Sequence, residues 1–194
     1  MQNSVKFPIK VIPGKSIGKL NLGMTHEEIL RAIYEMRMDW GDSNESDVEI
    51  LKDMEFDGLQ CVRYMCFTDG CIPFFFIVTF RDGTAVEIGI NRDVDSYQPV
   101  VYPVREMQHL PLFQLPADLL IAYLKTFGQC ITDNDDELLA NEYVFPELGL
   151  TLWRENAFHS KLLLDQEYME MMGDMATEEF GNVFFEIVKV SACK

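Results

Sequence analysis

Histidine is scarce in this chain, basic residues are outnumbered two to one by acidic ones, and no hydrophobic stretch is long. Each shortage excludes something. The three histidines, His26, His109 and His159, form no His-x3-His or His-Glu-x-x-His pair, so the usual helical zinc motifs are missing. The five cysteines include no Cys-x-x-Cys. Cys61, Cys66 and Cys71 are evenly spaced, but Cys61 and Cys66 lie at odd spacing in one predicted strand and so face opposite ways, with Cys71 beyond a turn. Reduced thiols in a cytoplasmic protein are the expectation. No Gly-x-Ser-x-Gly elbow occurs. The apolar run Cys71–Val78 falls well short of the ~18 residues of a membrane span, and the N-terminal MQNSVKFPIKVIPG does not look like a secretory leader. No membrane association is expected.

With 16 Lys and Arg against 32 Asp and Glu, the formal charge is −16. Such a surface repels phosphate backbones, which argues against nucleic acid, and favours encounter with a basic partner. Two local motifs fail on inspection. Gly14-Lys15-Ser16 resembles the end of a phosphate loop, but the position five residues earlier is Ile9 rather than Gly and the following residues read as extended. Asp133-Asn134-Asp135-Asp136-Glu137 resembles the start of a calcium loop, but its sixth position is Leu138 and its twelfth Val144, where Gly and Glu are needed. No cofactor and no metal are expected.

What is present is clear patterning. The chain has 194 residues, 48% of them hydrophobic and 12% aromatic, enough for a core without disulfides or metals. Residues 5–12 read as a strand. Thr25 caps a helix with Glu28 completing a capping box, and Ile29, Leu30, Ile33, Tyr34 and Met36 follow at helical spacing. After a polar loop from Gly41 to Asp47, four strands are predicted at Val48–Phe56, Gln60–Phe67, Phe74–Phe80 and Ala85–Ile90. Asp57-Gly58, Asp69-Gly70 and Asp82-Gly83 divide them, each a hairpin-turn signal.

Residues 92–110, with Pro99, Pro103 and Pro111 in or beside them, read as a connector. Beyond it the plan restarts: a helix with Leu119, Leu120, Tyr123, Leu124 and Phe127 ending at Gly128, an acidic loop, strands at Glu142–Phe145 and Leu150–Trp153, a further strand at 158–164 and a last one at Asn182–Val190. A shift of ninety places Leu20, Leu22, Ile29 and Leu30 on Leu110, Leu112, Leu119 and Leu120. Phe80-Arg81-Asp82 matches Trp153-Arg154-Glu155 at another offset. The fold class expected is α+β: two diverged helix-plus-antiparallel-sheet repeats, residues 1–95 and 96–194, with room to share one continuous sheet.

The segment Ile17-Gly18-x-Leu20-x-Leu22-Gly23-Met24-Thr25-x-Glu27-Glu28-Ile29 resembles the opening of beta-lactamase-inhibitor-protein-like modules. Tyr143-x-Phe145-Pro146-Glu147-Leu148-Gly149-Leu150-x-Leu152-Trp153-Arg154 is similar to second-half segments of bacterial immunity-type families. The resemblance implies two helix-plus-sheet copies whose sheet surface grips another protein. The second half carries Phe113-Gln114-Leu115 in place of Gly-Met-Thr.

The expected function is therefore a non-enzymatic protein-binding module of the immunity or inhibitor type, docking an acidic surface on a basic partner. The candidate contacts are Trp40 with Asp42, Glu45 and Asp47 in the first half, and Asp133, Asp135, Asp136 and Glu137 in the second. Trp153 is expected in the core. The alternatives are an enzyme whose Cys, His and carboxylate groups converge only in the fold, with Cys61 or Cys130 meeting a histidine, and a sensor or scaffold domain.

Overall fold

Alternating and helical apolar patterns bury the first half of the chain as its sequence suggests. The computed structural model describes residues 8–41, 48–53, 55–67, 73–105, 108–175 and 180–193. Strand β1 (Ile9–Ile12) turns through Pro13–Lys15 into β2 (Ser16–Ile17) and β3 (Leu20–Asn21). Helix α1 (His26–Asp39) follows. The Thr25 hydroxyl accepts the Glu28 N–H, and the Glu28 carboxylate accepts the Thr25 N–H at 2.8 Å, closing the capping box. Strands β4 (Val48–Lys52), β5 (Leu59–Cys66), β6 (Phe74–Arg81) and β7 (Thr84–Asn91) form a meander. Asp57-Gly58 and Asp82-Gly83 both hold positive φ at two successive residues, the primed-turn geometry that matches strand twist. Asp69-Gly70 lies outside the described residues.

The second half runs β8 (Val100–Arg105), β9 (Gln108–Pro111), α2 (Ala117–Leu124), β10 (Ile131–Thr132), β11 (Glu142–Phe145), β12 (Leu150–Trp153), α3 (Gln166–Met172) and β13 (Ile187–Ser191). Two sheets result. The larger is antiparallel throughout, in the order β10-β11-β12-β13-β7-β6-β5-β4, so the first meander meets the later strands where β7 pairs with β13. The smaller has the order β3-β2-β1-β8-β9, with β1 and β8 parallel, and so takes strands from both halves. The fold is α+β.

One face of the large sheet makes the core. Val62 and Tyr64 of β5, Phe74, Phe76 and Val78 of β6, Tyr143 and Phe145 of β11, Leu152 of β12, and Val188 and Val190 of β13 are fully buried there. Ile29, Ile33 and Met36 of α1, Leu120 and Leu124 of α2, and Val11, Ile17 and Leu20 of the small sheet belong to the same cluster. Each buried side chain of this size stabilises by about 1.5–3 kcal/mol.

Three expectations change. Residues 92–110 are not a connector: they hold a 3-10 turn at Arg92–Ser96 and the strands β8 and β9. Their order comes from pairing with distant residues, Ile9 against Val100 and Lys10 against Val101, which local periodicity does not reveal. Residues 160–164 form a 3-10 turn rather than a strand, because the His159 ring nitrogen accepts the Lys161 N–H at 3.0 Å. The two helix caps, Thr25 and Pro116, lie 91 residues apart rather than 90. Counted from its cap, Leu120 rather than Leu119 holds the position that Ile29 has in α1: Ile29 and Leu120 are buried, and Leu119 is 59% exposed.

Candidate functional site

The second face of the large sheet is where strand alternation places chemistry. Leu51, Arg63, Ile77, Gly89, Lys189, Thr151, Val144 and Ile131 are consecutive cross-strand partners, one from each strand, and form a row across the whole sheet. At ~4.8 Å per strand such a row spans about 34 Å. A second row runs Met65, Phe75, Asn91, Ile187, Trp153 and Glu142. Met65, Phe75, Ile77, Val144, Ile187 and Trp153 are half-buried, and none of them belongs to the core cluster or packs against it. The face is apolar and lightly covered, with charges spaced along it.

Where β7 meets β13 this face is hollowed into a groove of about 350 Å³. Asn91 and Ile187 are neighbours on these adjoining strands, with Phe75 and Arg63 on one side and Trp153 on the other. Asn91 is buried and holds the strands in register: its carbonyl accepts the Phe75 N–H at 2.8 Å, and its amide donates to Asp93 at 2.6 Å. The Arg63 guanidinium sits 5.2 Å from the centre of the Phe75 ring. Beyond Trp153 the lining turns acidic with Glu155 and Glu186. Arg92 also lines it, with its guanidinium donating to the Gly181 carbonyl at 3.0 Å.

The acidic loop expected to make contacts leaves the edge of the sheet at β10, away from the groove, and is largely engaged with its own chain. One Asp133 carboxylate oxygen accepts the N–H groups of Asn141 at 2.9 Å and Glu142 at 3.1 Å. Glu137 is paired with Lys125. Asp135 and Asp136 are exposed. Trp40 is half-buried, its ring 5.8 Å from that of Phe74 at the core margin. Asp42, Glu45 and Asp47 lie outside the described residues. None of Asp133, Asp135, Asp136 and Glu137 lines the groove. Trp153, expected in the core, is on that face. The alternation Leu150 in, Thr151 out, Leu152 in, Trp153 out was the signal that could have placed it.

A smaller pocket of about 200 Å³ lies under α2, lined by Asp118 and Lys125 of the helix with Glu137, Tyr143, Arg154 and His159. Arg154 is almost fully buried. Its guanidinium donates to the Phe158 carbonyl at 2.8 Å, the Ala140 carbonyl at 3.3 Å and the Tyr143 hydroxyl at 3.1 Å, and it packs on the Tyr143 and Phe185 rings. Burial pushes the Tyr143 hydroxyl above its ordinary pKa. His159 Nδ1 is taken by the Lys161 N–H, leaving Nε2 to carry the proton.

Cys61 and Cys130, the thiols expected to meet a histidine, are held toward the protonated form. Burial, aided by Glu137, pushes Cys130 up to about 11, and burial with Asp53 raises Cys61. Among the described residues no cluster of His, Cys, Asp and Glu is arranged to hold a metal ion, and no helix is long and apolar enough to cross a membrane. No family model, curated protein or solved structure matches this chain.

Proposed function

We propose that this chain is a non-enzymatic, cytoplasmic protein-binding module of the immunity or inhibitor type, and that it grips its partner with the second face of the eight-stranded sheet. The observation that carries the reading is the band of half-buried apolar and aromatic residues on that face, outside the core, with a groove between Phe75 and Trp153. Contiguous apolar surface of this kind marks interaction sites, and Trp and Arg are the residue types that dominate binding energy. The net charge of −16 favours a basic partner, with Asp135 and Asp136 among the groups that steer it. We also take the chain as two diverged copies. In support, α1 with β4–β7 and α2 with β10–β13 both run from a helix to four strands of the large sheet, the second interrupted by α3 between β12 and β13, and the copies join at β7 and β13.

The test is binding of a basic protein partner, measured against salt. The reading expects an association rate that falls steeply as ionic strength rises, and an affinity that Trp153→Ala lowers by at least about 2 kcal/mol. Binding indifferent to Trp153→Ala would remove the sheet face from the account.

The pocket under α2 favours a second reading, a small-ligand or enzymatic site holding His159. Its volume lies below the ~300–1,000 Å³ of ordinary ligand pockets, and no cysteine or hydroxyl nucleophile is hydrogen-bonded to His159 among the described residues. A fragment screen followed on the His159 imidazole signals separates the readings: saturable binding there would favour the second.

A further inference from the structure

We propose that Arg63 receives a carboxylate of the partner, an aspartate or glutamate side chain, while a neighbouring apolar side chain of the same segment seats between Phe75 and Trp153. This rests on the sheet face being the docking surface. Arg63 makes no hydrogen bond or ion pair with any described residue, and its Nε is shielded from solvent without a partner. The isolation is not for want of acids in a chain that carries 32 of them. Its neighbours on the sheet are Leu51 and Ile77 across the strands and Cys61 and Met65 along its own, with Phe75 beneath the guanidinium; the acids closest in register, Glu49 opposite Met65 and Asp53 beside Cys61, make no ion pair with it.

The shielded Nε is as closed to an arriving acceptor as to water, so the reachable donors are the two terminal Nη groups, which have no acceptor among the described residues. The guanidinium fork matches a carboxylate in two parallel bonds, and stacking on Phe75 holds the plane of the fork. Arg92 also lines the groove, but on the Glu186 side: its backbone N–H donates to the Glu186 carbonyl at 2.7 Å and its guanidinium to the Gly181 carbonyl at 3.0 Å. At the opposite end Glu155 and Glu186 flank Trp153, with Glu186 accepting the Glu155 N–H at 3.2 Å. Across the groove, Arg63 on β5 and Glu155 just past β12 are four strand spacings apart, about 19 Å, with Glu186 beside β13 one spacing nearer. A segment with its acid toward Arg63 and basic residues toward Glu155 and Glu186 fits it in one direction only. Such a segment on a basic partner reconciles a buried acidic contact with an acidic protein.

The probe is a library of random peptides displayed on phage and selected on the whole protein. Enriched sequences are expected to share an Asp or Glu beside an aromatic or aliphatic residue. Arg63→Gln, which keeps the stem over Phe75, should weaken an enriched peptide by about 10–100-fold. The peptide's own Glu→Gln analogue should bind both proteins alike. Arg63→Lys, which keeps charge but not the fork, should lie between. An acidic preference that survives Arg63→Gln, or enriched peptides without an acid, would overturn the proposal. Should Phe75→Ala and Trp153→Ala leave the selected peptides unaffected, or should no peptide be enriched, the docking-face reading falls, and this proposal falls with it. Thermal melts of each variant confirm that the fold is retained.

Discussion

The backbone N–H of Gly14 donates to the carbonyl of Gly149 at 3.2 Å, so the first turn of the chain docks on a turn of the second half. The Gly-Lys-Ser that resembles a phosphate loop is this docking turn. A Cβ on Gly149 would stand 2.1 Å from the Ser191 carbonyl oxygen and 2.9 Å from Gly14 Cα, at a φ of +60°. The third neighbour, Cys193 N, would be 3.1 Å away, and all three obstacles are backbone. Gly149→Ala should therefore lower stability by about 2–4 kcal/mol in urea unfolding. Gly83→Ala, also at positive φ but in open space, should cost only about 1 kcal/mol. Equal costs would show that the close approach is not what matters at Gly149.

His26 at the start of α1 is bonded to Tyr64 of β5, with Nδ1 and the hydroxyl 2.6 Å apart. Tyr64 is fully buried, and burial raises its pKa, so its hydroxyl stays protonated and shares a hydrogen bond with the imidazole nitrogen. Burial first, and then the Lys52 charge, lower the His26 pKa below its usual 6.5. A lowered histidine pKa means the unfolded state binds the proton more readily. The contribution is thus complete above about pH 6.5 and is lost as pH falls toward the folded-state value. His26→Gln should flatten that part of the stability curve between about pH 7 and pH 5. An unchanged slope would contradict the assignment.

Arg154 ties β12 to the loop carrying Phe158 and to the Tyr143 ring. Arg154→Met keeps the bulk but leaves buried carbonyls without donors. A loss of about 3 kcal/mol is expected in urea unfolding, and the signals of Tyr143 and Phe158 should move together. A loss below about 1 kcal/mol would mean that water replaces the guanidinium.

The acidic loop divides by role. Asp133→Ala removes an acceptor for two backbone N–H groups and should cost about 1–2 kcal/mol of stability. Asp135→Lys changes an exposed group and should leave stability within about 0.5 kcal/mol while slowing association with a basic partner. Paired melting and association-rate measurements separate the two, and the opposite pattern would reverse the assignment.

Features set by neighbouring residues were legible in the sequence. The Thr25 and Glu28 capping box, the turns at Asp57-Gly58 and Asp82-Gly83, and the opposed faces of Cys61 and Cys66 all form within a few residues of chain. Features set by distant contacts were not. β8 is ordered by β1, some ninety residues earlier, and the 3-10 turn after His159 by a side-chain cap. The pairings of β1 with β8 and of β7 with β13 cross the division at residue 95, which the prolines of 92–110 and the restart of the apolar pattern suggest. The site followed the same rule. Alternation in Leu150–Trp153 points Trp153 away from the core, yet the isolation of Arg63 depends on which residues of β4 and β6 lie opposite it.

Site-specific photocrosslinking tests the central claim most directly. A photoreactive side chain is placed at Ile77, Met65 or Ile187 on the second sheet face, and at Leu119 on α2 as the comparison position. The account predicts crosslinks to a protein partner from the three sheet positions and none from Leu119. Crosslinks from Leu119 alone, with the sheet positions silent, would contradict it.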